Sequence, residues 1–156
     1  YASISPRTHE ALFKKFCREM DFRPVCFQAT QEVNGDLLPI YHTNVIMCIA
    51  DKYAVACLSS VRNSAERETL KRELTESGKE IIEISIEQMN HFAGNMLQLK
   101  NNDGDKFVVL SESAYNSLSE SQISSLEKFN KLIVAPVPTI EKYGGGSVRC
   151  MIAEVF

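Results

Sequence analysis

Tyr143-Gly144-Gly145-Gly146-Ser147-Val148-Arg149-Cys150-Met151-Ile152-Ala153-Glu154-Val155-Phe156 is the run from which the rest of this chain can be read. Three successive glycines strip side chains from the backbone just ahead of an apolar, partly β-branched segment. This predicts a strand beginning near Val148, with Cys150 at its entrance and open space beside it. A thiol so placed is either a nucleophile or one more small core residue, the reading that suits Cys48 and Cys57 in their apolar runs. A histidine at the mouth of a second such run favours the nucleophile, and Tyr41-His42-Thr43-Asn44-Val45-Ile46-Met47 supplies one.

The same junction occurs three times. Thr43-Asn44-Val45, Gly94-Asn95-Met96 and Gly146-Ser147-Val148 are each expected to open a strand, and Asn44, Asn95 and Ser147 stand 51 and then 52 residues apart. A period of that length marks a supersecondary unit used repeatedly. The unit reads as strand, strand, helix, strand. Residues 43–49 and 53–58 form a hairpin. A helix follows with Asn63 and Glu66 as a capping box, Leu70 and Leu74 on its inner face and Gly78 at its end, and residues 79–85 return as a strand. Residues 95–99 and 107–110 repeat the hairpin around Asn102-Asp103-Gly104-Asp105, before a helix capped by Ser119 and Gln122 and a strand over 132–135. Ahead of these units, residues 1–4 read as the tail of a strand and Ser5-Pro6 as a helix start. Leu12, Phe13, Phe16, Cys17 and Met20 read as that helix's buried face, residues 23–29 as a strand, and Asn34-Gly35-Asp36 as a turn. Units of this kind are expected to close in a ring, since otherwise the outermost ones expose strand edges. By the phase of the repeat, residues 1–156 form a single domain cut within a unit at both ends.

Composition narrows the function classes. With 156 residues, 44% of them hydrophobic, the chain can build one real core. A net charge of −3 without any Lys/Arg-rich run gives no support to nucleic-acid or anionic-membrane binding, and the longest apolar stretch, 45–50, is too short to span a bilayer. Five cysteines without CxxC spacing argue against a disulfide framework or a zinc site and for a reducing, cytoplasmic compartment. No metal and no cofactor is implied. His9 and His91 read as solvated, and Cys17 and Cys26 as core, like Cys48 and Cys57.

With Cys150, His42 and the repeat of about fifty residues in view, the chain resembles the guanidine-modifying superfamily of arginine deiminases, dimethylarginine hydrolases, amidinotransferases and agmatine deiminases. Residues 41–47, Phe92-Ala93-Gly94-Asn95-Met96-Leu97 and 144–156 look most like the bacterial amidinotransferase-related group that includes citrulline-utilisation hydrolases; Gly-Gly-Gly-Ser-x-Arg-Cys-Met is the sharpest piece. The resemblance implies an α/β fold, part of a five-bladed α/β propeller (pentein) built from ββαβ repeats, of which this chain would be the C-terminal half. It implies Cys150 as nucleophile and His42 as general acid and base. Ser5-Pro6-Arg7-Thr8 resembles the segment whose arginine grips the substrate's α-carboxylate, so Arg7 joins the substrate-binding set. A cation in the first turn of a helix opposes the macrodipole unless an anion binds there, which agrees with that role. Gly145 and Gly146 would let the backbone approach the substrate or offer amide donors. Asn44 stands where arginine deiminases carry an aspartate. An amide cannot neutralise a guanidinium, but it can donate to and accept from a neutral ureido group, so Asn44 fits citrulline at least as well as arginine. Glu10, Glu141 and Glu154 do not stand where the repeat would put the family's acids; these are expected upstream of Tyr1.

The implied chemistry is thiolate attack on the central sp² carbon, expulsion of an amine or ammonia with a proton from His42, and hydrolysis of the covalent thio-intermediate. Deiminase, ureido hydrolase and amidinotransferase share this start. The alternative is a catalytically inactive propeller fragment serving as a binding or assembly module. The expected partners are a small guanidino or ureido amino acid and a missing N-terminal half or second chain that completes the site. The chain on its own is then expected to self-associate through its cut edges and to turn over arginine, agmatine and citrulline far below about 1 per second, an ordinary enzyme rate. Turnover assays combined with the mass in solution check this: a monomer working at that rate would overturn the fragment reading.

Overall fold

Alternating buried runs and capped helices build the units. The structure is a computed structural model and describes residues 1–153. In chain order the elements are β1 (Ala2–Ser3), α1 (Glu10–Glu19), β2 (Cys26–Phe27), β3 (Thr30–Val33), β4 (Asp36–Pro39), the one-turn α2 (Thr43–Ile46), β5 (Met47–Ile49) and β6 (Tyr53–Ala56). They continue with α3 (Ser64–Glu76), β7 (Glu80–Glu83), α4 (Ile86–Asn90), β8 (Leu97–Lys100), β9 (Lys106–Ser111), α5 (Glu112–Ser117), α6 (Glu120–Glu127), β10 (Lys131–Ala135), α7 (Pro138–Gly144) and the one-turn α8 (Val148–Met151).

The repeat is visible in the strand pairing. β5 and β6 pair antiparallel, α3 crosses over, and β7 returns parallel to β6. β8 and β9 likewise pair antiparallel, and β10 returns parallel to β9 after α5 and α6. β1 and β2, parallel across α1, reproduce the later part of the same unit. The strands lie in separate two- and three-stranded sheets in a mixed α/β arrangement. Tyr53, Val55, Leu70, Leu74, Met89, Met96, Leu110 and Leu126 from both complete units are fully or almost fully buried and belong to one hydrophobic cluster. Among the described residues no helix is long and apolar enough to cross a membrane.

The caps of the two complete units are joined. Ser85 with Gln88 and Ser119 with Gln122 are both capping boxes, and the second was expected from sequence. Beyond closing its own box, each glutamine reaches the other. Gln88 Nε2 donates to Gln122 Oε1 at 2.7 Å, and Gln122 Nε2 donates to Gln88 Oε1 at 3.1 Å.

Several expectations are corrected. The strands expected to open at Thr43 and at Val148 open instead with one helical turn each, α2 and α8, so Cys150 sits on a helical turn. β-branched residues disfavour a helix by only a few tenths of a kcal/mol each. Burial of Ile46 and Val148, with Cys57 N–H donating to the Ile46 carbonyl at 3.0 Å, outweighs that preference. Gly94-Asn95-Met96 is likewise a turn running into β8. The far end of the expected last strand, including Glu154, Val155 and Phe156, lies outside the described residues. Ser5-Pro6 does not start α1: Ser5 Oγ accepts from the Arg7 N–H at 3.2 Å and donates to the Tyr41 carbonyl at 3.1 Å, forming a local turn, and the helix begins at Glu10. Arg7 therefore precedes the helix, and the macrodipole argument for it falls. The helical spacing of α1 is as read, but Leu12, Phe16 and Met20 are 65%, 51% and 54% exposed and only Cys17 is buried, because periodicity says which residues share a face and not whether that face is covered. The strand expected over 23–29 shrinks to β2, and the Asn34-Gly35 turn, with both residues at positive φ, joins a hairpin, β3 with β4, that the sequence reading left as a turn alone. Asn63 caps α3 without a reciprocal Glu66, whose carboxylate instead accepts from the Gln28 N–H at 2.7 Å.

The two units meet at Gly94. A Cβ there would stand 2.2 Å from the Val45 carbonyl oxygen and 2.9 Å from the Ile46 carbonyl carbon, both backbone atoms that cannot turn aside. Gly94→Ala is expected to lower the unfolding free energy by at least about 1–3 kcal/mol, the usual cost of overpacking. Gly144→Ala, whose added Cβ would meet only an Ile140 side-chain methyl at 3.4 Å, should change it little. Urea titration of the two variants checks the contrast.

Candidate active site

The one-turn segments preceding β5 and β8, together with α8, bring their leading residues to one cavity. About 430 Å³ in volume, it is bordered by Arg7, His42, Asn44, Asn95, Gly145, Gly146 and Cys150, so every site residue named from the sequence lines the same space. A second cavity of about 410 Å³ shares His42 and Asn44 with it.

Cys150 is the exposed cysteine; Cys17, Cys48 and Cys57 are buried and Cys26 partly so. Burial pushes the Cys48 thiol up to about 11, which keeps it protonated and inert near neutrality. At Cys150 the sulfur has room because of Gly146, where a Cβ would lie 3.2 Å from Sγ. Gly145 takes a left-handed conformation, φ 65°, as the C-cap of α7, and its carbonyl accepts from the Tyr41 hydroxyl at 2.8 Å. The triple glycine thus ends one helix, anchors the His42 strand of chain and clears the sulfur. It does not precede a strand among the described residues.

Two side-chain amides converge on that sulfur. Asn44 Nδ2 donates to Cys150 Sγ at 3.7 Å, and Asn95 Nδ2 donates to it at 3.2 Å. Asn95 also donates to the Asn44 backbone carbonyl at 3.1 Å. The third member of the periodic set, the buried Ser147, donates instead to Glu141 Oε1 at 2.6 Å. The sequence reading used Asn95 to mark the repeat and as part of the 92–97 run of the resemblance, and gave it no role at the site. Its signal was the shared phase with Asn44, since equivalent positions of neighbouring units face a common centre.

Among the described residues His42 is held by Arg7 and Tyr41. Arg7 Nη1 donates to His42 Nε2 at 3.2 Å, so that nitrogen serves as the acceptor. Tyr41 packs edge-on against the His42 ring with centroids 4.8 Å apart, and the Arg7 guanidinium lies 5.2 Å from the Tyr41 ring centre. Of the carboxylates weighed from sequence, Glu10 pairs with Lys14 and Glu141 with Ser147. His91 caps the end of α4 and contacts Ser113 Oγ at 3.2 Å, and His9 precedes α1, so both stand apart from the cavity. Among the described residues no cluster of three or more His, Cys, Asp or Glu side chains could hold a metal ion.

No curated protein matches the chain. Among solved structures, ArgZ, an arginine dihydrolase from the ornithine-ammonia cycle in cyanobacteria, superposes in its apo form with a TM-score of 0.68 at 14% identity, over 96% of this chain and 21% of that one. The substrate-bound N-terminal domain of ArgZ, carrying a C264S substitution, gives 0.66 at 14% identity, over 94% of this chain and 48% of that one. The agmatine deiminase of C. jejuni gives 0.48 at 12% identity, over 93% of this chain and 46% of that one. The chain therefore spans less than half the length of each of these structures, and the likeness to ArgZ is one of fold. The family model described as N,N dimethylarginine dimethylhydrolase, eukaryotic, matches residues 1–156. The chain belongs to that family, within the guanidine-modifying superfamily that its glycine-rich cysteine segment resembles.

Proposed function

We propose that this chain carries the nucleophile and the general base of a hydrolase that cleaves a C–N bond in a guanidino or ureido amino acid, in a reducing, cytoplasmic setting. The observation that carries the reading is the convergence of an exposed cysteine and a histidine on one cavity in a member of this family. Cys150 passes its thiol proton to His42 and attacks the central carbon as a thiolate. The nitrogen that leaves takes a proton from His42, and the covalent thio-intermediate is released by water that His42 deprotonates. No metal or cofactor takes part.

Arg7 holds His42 Nε2 in the free site. A substrate α-carboxylate competes for that guanidinium with a charge-assisted, bidentate pair, and winning it frees the histidine nitrogen for proton transfer. Gly145 and Gly146 leave backbone close to the substrate. The acids that steady the histidine and the substrate come from further units, in a five-bladed α/β propeller of which residues 1–156 are the C-terminal portion, supplied by an N-terminal half or by a second chain. The exposed apolar residues Leu12, Phe16 and Met20 on α1 and Ile133 and Val134 on β10 suit coverage by such units, or by a second copy of the chain.

Asn44 bears on the substrate. A half-buried amide matches a neutral ureido group better than a guanidinium cation, which favours citrulline and the narrower citrulline-utilisation group. With the remaining units restored, kcat/KM is expected to be higher for citrulline than for arginine or N,N-dimethylarginine, and Asn44→Asp should shift preference towards the cations. A clear wild-type preference for arginine would overturn the amide argument. In the same preparation, Cys150→Ser and His42→Ala should each lower kcat at least about a thousandfold. Unchanged turnover in either would remove that residue from the chemistry, and no turnover of any of the three substrates by the restored protein would favour the binding or assembly module.

A further inference from the structure

Asn95 has no assigned role, yet among the described residues it makes the shortest hydrogen bond to the proposed nucleophile. It is buried, at 2% exposure, and its single Nδ2 group spends its two hydrogens on two acceptors, the Asn44 carbonyl at 3.1 Å and Cys150 Sγ at 3.2 Å. The carbonyl can only accept, so it sets which end of the amide faces which way. The nitrogen end therefore faces the sulfur. The oxygen end lies farther off, with Sγ to Oδ1 at 3.7 Å. A thiol hydrogen can use that longer contact, but a thiolate gains the shorter one from Asn95 and a second N–H from Asn44 at 3.7 Å.

We propose that Asn95 is the residue that positions the Cys150 sulfur and favours its thiolate, clamping it with Asn44 between two amide N–H donors. The proposal rests on the reading of Cys150 as nucleophile and adds how the sulfur is held. The clamp is built by the backbone. Gly94, with no Cβ, lets the segment before β8 lie against the carbonyls of α2, and Asn95 N–H donates to the carbonyl of Phe92 at 2.8 Å, where the chain takes a left-handed φ of 64°. Ionisation moves the Sγ proton to a base in the cavity or to water and leaves both amide N–H groups on the sulfur lone pairs. The charged or titratable groups around it are Arg7, His42 and Tyr41 at the cavity, Arg149 beside it in sequence with Nη1 donating to the Met47 carbonyl, and Glu141 accepting from Ser147. Among the described residues none of these is hydrogen-bonded to the sulfur.

The test is the pH dependence of Cys150 alkylation by iodoacetamide, followed on its own peptide by mass spectrometry in the 156-residue chain. Asn95→Asp keeps the shape but replaces the donor with a negative charge, so the alkylation midpoint should rise by about one pH unit or more. Asn95→Ser, the residue type at the equivalent position 147, should raise it less. Protection of Cys17, Cys48 and Cys57 in the same samples reports that the fold is kept. If Asn95→Asp loses that protection, Asn95→Ser decides alone. Midpoints equal to the parent's in a protected variant would overturn the proposal. The readout needs no substrate, so a shifted midpoint alongside unaltered turnover by Cys150→Ser would end the nucleophile reading and leave the amide clamp standing.

Discussion

The Gly94 backbone lies so close to the Val45 carbonyl that no side-chain carbon fits between them, and much of the site's geometry follows from this contact. It brings the turn before β8 against α2, which puts the Asn95 amide within reach of both the Asn44 carbonyl and the Cys150 sulfur. The cavity is therefore a product of backbone packing between units. Its polar lining arrives as a consequence: two of the three positions of equal phase, Asn44 and Asn95, border the cavity, while the third, Ser147, is buried and turned to Glu141.

What was legible in the sequence followed from period and chemistry. The spacing of Asn44, Asn95 and Ser147 gave the unit and its order of strands and helices, because each unit repeats the same alternation of buried and capped segments. Ser119 with Gln122 and Gly78 marked helix ends correctly, since capping is a local transaction between neighbours in the chain. The cavity's members Cys150, His42, Asn44 and Arg7 were also legible, through residue type and resemblance together.

What was illegible depended on long-range contacts. Thr43-Asn44-Val45-Ile46 has strand-like composition, yet bends into a helical turn because Ile46 is buried and its carbonyl serves Cys57, just past the end of β6. Leu12, Phe16 and Met20 align on one helix face exactly as a core stripe would, and no local signal could tell that the described residues leave them uncovered. Arg7 borders the cavity as the resemblance implies, but the supporting macrodipole argument fails: it precedes α1, and its guanidinium lies over Tyr41 and donates to His42.

The interlocked pair of Gln88 and Gln122 has a consequence for how the protein comes apart. In a linear array of repeats, one unit can melt while its neighbour stands, because only a surface joins them. Here each glutamine closes its own helix cap, donates to the other's amide oxygen and donates to a backbone carbonyl of the opposite unit, Ser117 for Gln88 and Glu83 for Gln122, so fraying of either cap breaks bonds to both units. The two units are thereby bound into one cooperative block, and a partial opening that frees the cavity by peeling one unit away is disfavoured.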